Sequence, residues 1–347
     1  MLFISVDCGT TNLRCRLCDS DGITVLCETK RTAGGRDTAL TGSNLRLRAA
    51  LCDAVSEILA RPGEKRAEIA AVILSGTITS AVGVYRVHHL PAPAGPSDSS
   101  AAAEFVELKE LPGLPFFFIP GVKTLPDPAT LSGDDELKKI DMMDSMSGEE
   151  CETYGILELT GIGGNAVVCL PGSYTKVFYV SRDGKISSMR SGMAGELTAA
   201  VSGHTLMRCT LPDPVIRRII PEKLICGYDY AESRGVSPAL AKSRIMSVNN
   251  GWDDDETGNF FAGAAMSSDV RSVLLELRDG CPLIIGGSNP LRDCFELLVR
   301  HALKGRELPI LKICDSDAVR AVPAGQWKVF SERTNGGEMR PSGIKTI

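Results

Sequence analysis

The chain has 347 residues, 43% of them hydrophobic and 23% charged, a composition that excludes a wholly disordered protein and a length that suits about two domains of ~150 residues. Its 38 Lys and Arg against 43 Asp and Glu leave a net charge of -5, without the basic surplus that nucleic-acid phosphates select. The longest apolar runs, such as residues 116–119, fall far short of the ~20 residues of a membrane-spanning helix, and Asp7 arrives with no basic segment before it, so neither membrane span nor signal peptide is expected.

In chain order, residues 2–6 read as a short apolar strand ending at Asp7. The small polar turn Cys8-Gly9-Thr10-Thr11-Asn12 follows. Residues 13–18 alternate as a second strand, with Arg14 and Arg16 on one face and Cys15 and Leu17 on the other. Asp19-Ser20-Asp21-Gly22 is a hairpin signal, and residues 23–27 form the third strand. Asn44 precedes an amphipathic helix whose apolar face is Leu47, Leu51, Ala54, Val55, Ile58 and Leu59, ending near Pro62-Gly63. Residues 70–74 form a strand running into Ser75-Gly76-Thr77. The Pro-, Ala- and Ser-rich stretch 91–100 reads as an exposed, mobile loop, and Pro120-Gly121 and the acid-rich stretch 134–144 mark the passage into a second half.

That half repeats the syntax. Residues 166–170 are an apolar run, Pro171-Gly172-Ser173-Tyr174-Thr175 a turn, 176–180 a strand, Ser181-Arg182-Asp183-Gly184 a hairpin turn and 185–190 a third strand. Gly9 to Gly22 spans thirteen positions and Gly172 to Gly184 twelve, and a helix pattern follows each, which points to an internal duplication. Two like domains facing each other would place both glycine turns at one cleft. Residues 282–285 read as a buried strand, Gly286-Gly287-Ser288-Asn289-Pro290 as a turn and helix start, and the helix runs to about Lys304 before Gly305. Residues after Ser331 are polar and read as loose.

The 12 cysteines are scattered, mostly in apolar runs, as buried free thiols of a reducing cytoplasm are. Cys15 and Cys18 fall on a strand, where residues three apart face opposite ways, so no redox or zinc pair is expected. His88-His89 reads as a surface or strand pair, and the four histidines have no metal-ligand spacing. No P-loop or nucleophile-elbow pattern occurs, and Gly161-Ile162-Gly163-Gly164-Asn165-Ala166 precedes a strand instead of opening a helix, which excludes the dinucleotide fingerprint.

The chemistry therefore rests on the two turns. Asp7 stands at a strand end, and its carboxylate suits Mg²⁺ held through water, because it would repel phosphate directly. Gly9, Thr10, Thr11 and Asn12 offer N–H and hydroxyl donors to phosphate. Gly172, Ser173, Thr175 and Lys176 offer a second such set, with Lys176 available to a terminal phosphate. Glu149 and Glu150, in Ser147-Gly148-Glu149-Glu150, and Glu196, in Gly192-Met193-Ala194-Gly195-Glu196, each start a helix. Each is either a helix-dipole complement or the acceptor of a substrate proton.

With these residues in hand, the chain resembles the 2-dehydro-3-deoxygalactonokinase family, within the superfamily of sugar kinases, Hsp70 and actin. The resemblance runs from about residue 3 to residue 322, on Asp7 to Arg14, Pro120-Gly121-Val122, Ser147 to Glu150, Pro171 to Lys176, Gly195-Glu196 and Gly286-Gly287-Ser288. It departs from the family pattern at Cys8, where tryptophan or another apolar residue is usual, and at Tyr174, where histidine is usual. The segment 91–115 is longer than usual, and residues 315–319 keep part of the pattern. The resemblance implies an α/β protein of two RNase H-like (actin-like ATPase) domains with an interdomain cleft. We expect residues 1–122 to form the first, with the insertion at about 91–115, residues 123–335 the second, and 336–347 a loose tail. It implies ATP-dependent phosphorylation of a 2-keto-3-deoxy sugar acid at its terminal hydroxyl, with Mg²⁺. Asp7 and the first turn handle metal and phosphate, the second turn the remaining phosphates, and Gly286, Gly287 and Ser288 the adenosine. Arg14, Ser75, Thr77 and Glu196 are candidate substrate contacts. Glu149 is the favoured base, with Glu150 the alternative. Expected partners are the small sugar acid, with no nucleic acid, no membrane, and a homodimer left open. A nucleotide-dependent sensor or scaffold, or an ATPase of the same fold, are the competing readings.

Overall fold

The computed structural model describes residues 1–21, 23–61, 68–126, 136–334 and 344–347. Gly22, Pro62-Gly63, residues 134–135 and the stretch 336–343, all invoked above, lie outside the described residues. The chain divides into two compact units: Met1–Gly164, Val180–Ser188 and Asp315–Ile347 form the first, and Asn165–Tyr179 with Met189–Cys314 the second.

The first unit holds β1 (Leu2–Cys8), β2 (Leu13–Asp19), β3 (Thr24–Arg31), α1 (Gly35–Thr41), α2 (Leu45–Leu59), β4 (Ile69–Gly76), β5 (Leu90–Pro91), α3 (Pro96–Ala102), β6 (Glu104–Glu107), β7 (Pro115–Phe118), β8 (Val122–Thr124), α4 (Glu136–Met142), β9 (Asp144–Met146) and α5 (Glu149–Thr160). The second begins with β10 (Ala166–Leu170), β11 (Thr175–Val180, to its penultimate residue), the part of β12 (Ile186–Gly192) from Met189 on, and α6 (Ala194–His204). It continues through α7 (Pro221–Arg234), α8 (Val236–Asn250), α9 (Asp254–Glu276), β13 (Leu283–Ile285), α10 (Leu291–Ala302) and β14 (Ile310–Lys312). The chain then returns to the first unit as α11 (Asp315–Thr334) and β15 (Lys345–Thr346).

The sheets carry the duplication read from the pattern. The first is ordered β15-β6-β7-β4-β1-β2-β3 and the second β12-β11-β10-β13-β14, so β3-β2-β1-β4-β7 repeats strand for strand in the second. In the first, β1 pairs antiparallel with β2 and parallel with β4, the pairing that lets a tight turn leave the end of β1. In the second, β10, β13 and β14 are parallel neighbours. Strands covered on both faces must be apolar nearly throughout, as β4 (Ile-Ala-Ala-Val-Ile-Leu) and β10 (Ala-Val-Val-Cys-Leu) are. The α2 face of Leu47, Leu51, Ala54, Val55 and Ile58 is buried as its spacing requires. All twelve cysteines are free thiols.

Several expectations change. The stretch 91–100 is not an exposed loop: Pro96 opens α3, Asp98 closes a capping box onto the Gly95 N–H at 2.9 Å, and Ser99 and Ser100 are buried. The segment after residue 100 supplies strand β6, which lies between β7 and β15. The boundary at 122/123 does not hold, because β8 pairs with β9 and α5 packs on α11, all in the first unit. The tail is tied at its end, where β15 pairs with β6. The helix after Pro290 begins at Leu291 without a side-chain cap.

Helix α11 lies against β1 and β4. Trp327 stacks on Phe3 with ring centroids 4.9 Å apart, and the buried Gln326 donates from Nε2 to Val6 O at 2.8 Å and Ser75 Oγ at 2.9 Å. Gly325 lets α11 meet α5 backbone to backbone, since a Cβ there would sit 1.8 Å from Cys151 O. Neither partner is a flexible side chain that can swing away. Gly325→Ala is therefore expected to lower the stability of the first unit by at least about 2 kcal/mol, read as a lower midpoint in urea unfolding.

Candidate active site

Register places Asp7 at the end of β1, directly opposite Arg14 of β2, with Arg14 Nη1 3.7 Å from Asp7 Oδ2. Asp7 and Arg14 are both partly exposed. The chain reverses immediately: Gly9 N–H donates to Asn12 O at 2.9 Å. Thr77 Oγ1 donates to Gly9 O at 2.8 Å, Gly35 N–H to the same oxygen at 3.2 Å, and Arg36 N–H to Thr10 O at 2.9 Å. The carbonyls of Gly9, Thr10 and Asn12 are thus engaged within the unit. A turn whose acceptors are occupied in this way offers a ligand mainly donors, the polarity that phosphate oxygens need. Asn12 Nδ2 donates to Thr11 Oγ1 at 3.0 Å, which orients that hydroxyl.

Two of the expected contacts are placed differently. Ser75 is fully buried and accepts from Gln326, so it supports β4 from beneath and cannot meet a substrate. The Thr77 hydroxyl is committed to the turn carbonyls.

At the start of α5, adjacent glutamates have opposite environments because successive helical residues point about 100° apart. Glu149 is half-exposed, and its Oε2 accepts from Ser147 N–H at 3.1 Å. Glu150 is fully buried, its two oxygens receiving the Gly148 N–H at 3.0 and 2.8 Å. Burial, reinforced by the negative charge of Glu149, pushes the Glu150 carboxyl up to about 8. His89, read from sequence as a surface or strand residue, is half-buried and braces this segment, with Nε2 2.8 Å from Ser147 Oγ. Desolvation is the main cause holding its imidazole below the usual histidine range.

The second unit carries the second turn in the equivalent place, between β10 and β11. Here α6 closes over it. Glu196 N–H donates to Ser173 O at 2.9 Å, and a Cβ on Gly195 would lie 2.3 Å from Gly172 O, so only glycine permits this approach. Gly286 N–H donates to Cys169 O at 2.9 Å, and Gly287 packs on the Pro171 carbonyl. Lys176 differs from its expected role. It alternates inward on β11, is 7% exposed, and its ammonium donates to Ser191 Oγ, so it is not presented at the turn surface. Asp269 of α9, buried, accepts from Ala194 N–H at 3.1 Å and holds the start of α6.

A cavity of about 420 Å³ opens on this turn. Gly172, Ser173 and Thr175 line it, with the first residues of α6 and α10, Ala194 and Leu291, and an apolar wall that includes Met266 and Phe295. Gly286, Gly287 and Ser288 stand next to this lining, and the residues that follow them, Pro290 and Leu291, form it. Sequence reasoning missed the contributions of Asp213 to Ile216 and α9. Their signals were a Pro-containing loop and an apolar helix, which most cores also show. Among the described residues no helix is long and apolar enough to cross a membrane.

A family model described as 2-keto-3-deoxy-galactonokinase matches residues 7–329. No curated protein matches the sequence. Among solved structures, a provisionally assigned 2-dehydro-3-deoxygalactonokinase from Sinorhizobium meliloti is similar, with 18% identity, 97% of this chain and 99% of that chain covered, and a TM-score of 0.68. Component A of (R)-2-hydroxyglutaryl-CoA dehydratase from Acidaminococcus fermentans is similar with 12% identity, 96% and 99% covered, and a TM-score of 0.50. At such identities these two structures show the shared fold, that of actin-like ATPases and sugar kinases. The family match is broader evidence, because it starts at Asp7, takes in both glycine turns and the start of α5, and ends inside α11: the chain belongs to the 2-keto-3-deoxy-galactonokinase family and is a sugar-acid kinase.

Proposed function

We propose that the chain transfers the γ-phosphoryl group of ATP to the terminal hydroxyl of a 2-keto-3-deoxy sugar acid, a galactonate derivative foremost. The observation that carries this reading is the recurrence of one turn at one sheet position in both units. In one unit it stands beside accessible carboxylates, and in the other beside a cavity within the 300–1,000 Å³ range of small-molecule sites.

Each group has a role its environment suits. The second unit's cavity takes the nucleoside, and its turn donates to phosphate through Gly172, Ser173 and Thr175. In the first unit, Gly9 to Asn12 supply donors for phosphoryl oxygens, the positioning and charge stabilisation on which phosphoryl transfer depends. Asp7 and the neighbouring threonine hydroxyls are hard oxygen donors. That set fits Mg²⁺, which prefers one or two carboxylates together with phosphate oxygens and water. Asp7 would hold the ion, whose chemistry when bound is to neutralise β- and γ-phosphate charge. Arg14, partly exposed, suits the carboxylate of the sugar acid.

Glu149 accepts the proton of the attacking hydroxyl. Its carboxylate is accessible and oriented by Ser147, whereas Glu150 is sealed beneath and accepts from Gly148. Glu196, half-exposed at the start of α6, complements that helix's dipole. The free, mostly buried thiols suit a reducing cytoplasm.

A screen of ATP consumption should show stimulation by 2-keto-3-deoxy acids and none by plain hexoses. ATP binding without transfer to any acceptor would overturn the proposal in favour of a sensor. Glu149→Gln should lower kcat by about 10²–10⁴ with nucleotide binding retained, and Glu150→Gln should keep most of the activity. Glu150 also has a pH signature. Its folded value of about 8 lies above the unfolded 4.5, so between these the native state holds a proton the unfolded chain has lost. Stability therefore falls as pH rises through that window. The Gln variant should flatten this decline in unfolding curves taken from pH 5 to 8.

A further inference from the structure

The second unit's cavity has a feature that a site for any apolar ligand would lack. Asp213 is the only ionisable residue in its lining. It is exposed and stands in the segment leading to Val215 and Ile216, which form part of the same wall. Among the described residues its carboxylate has no hydrogen-bond or ion-pair partner. The nearby cations in sequence, Arg217 and Arg218, are engaged elsewhere, each with Asp255 (2.8 and 2.7 Å).

A carboxylate only accepts hydrogen bonds. In a nucleoside triphosphate the phosphates are acceptors and anions, and Asp213 would repel them. They belong with the turn and with the starts of α6 and α10, where helix N-termini favour negative charge. The donors that remain are the ribose hydroxyls and, in adenine, the exocyclic amine. The vicinal 2′- and 3′-hydroxyls present two donors side by side, the spacing that the two oxygens of one carboxylate can accept together.

We propose that Asp213 reads the ribose diol of the phosphoryl donor, making the enzyme selective for ribo- over deoxyribonucleotides. This rests on the reading that the nucleotide occupies the cavity. Because Asp213 is exposed and has no partner among the described residues, its replacement removes none of the interactions seen to hold the fold.

The test compares ATP, 2′-deoxy-ATP, 3′-deoxy-ATP and ITP by kcat/KM, and ADP with 2′-deoxy-ADP by calorimetric Kd, in the wild type and in Asp213→Asn and Asp213→Ala. Wild type is expected to prefer the ribonucleotide by about tenfold or more, as for a hydrogen bond to a charged group. Both variants should bring that ratio within about twofold and leave the ATP-to-ITP ratio unchanged. An unaltered ribo-to-deoxy ratio overturns the inference, as does a change in the ATP-to-ITP ratio alone, which would assign Asp213 to the base. Ala199→Phe, placed in the same lining, separates the underlying reading. If that variant folds with a wild-type unfolding temperature and still binds ADP undiminished, the nucleotide lies elsewhere and both statements fall. Weakened ADP binding there, together with an unaltered ratio at Asp213, removes the diol contact alone.

Discussion

The donation from Thr77 Oγ1 to the Gly9 carbonyl, and its counterpart from Glu196 N–H to the Ser173 carbonyl, govern what each glycine turn can do. A short turn at a strand end has donors and acceptors in equal number, and on its own would be as ready for a cation as for an anion. Engaging the carbonyls within the unit breaks that symmetry and leaves a surface weighted toward N–H and hydroxyl groups. In each unit the helix after the third strand does this, α1 through Gly35 and Arg36 in the first and α6 through Glu196 in the second, and in the first the segment after β4 adds the Thr77 hydroxyl.

Burial then sorts residues that look equivalent along the chain. Glu149 and Glu150 are adjacent acids, yet one meets solvent and the other is sealed against the Gly148 N–H, so only the first is suited to exchange a proton with a substrate. Thr77 and Ser75 are hydroxyls two residues apart, and both face inward tasks. Lys176 looked suited to a terminal phosphate and instead points into the sheet's packed face toward Ser191. Strand alternation, not charge, decided its side.

The fold was legible to the extent that local patterns carry it. The strand-turn-strand runs after Leu2 and after Ala166, the amphipathic α2 and the starts of α5 and α6 follow from alternation, apolar spacing and glycine-containing turns over a few residues. The stretch 91–100 was misread because its Pro, Ala and Ser content is also that of a loop. The Asp98 capping box and the cover that buries Ser99 and Ser100 turn it into α3. The unit boundary was misread because α11 follows the second unit in sequence yet packs on α5 and β1, and no local signal marks a helix for return.

The sequence by itself determined that one strand-turn-strand pattern occurs twice, each time with a glycine-containing turn after its first strand, since this depends on neighbours along the chain. Only the tertiary structure decided which acid is accessible, that Gln326 from the far end of the chain supports Val6 and Ser75, and that Asp213 lines a cavity with no partner among the described residues. Those outcomes depend on segments tens to hundreds of residues apart meeting in space. Exposure and partnership are properties of that meeting, and no spacing rule along a chain encodes them.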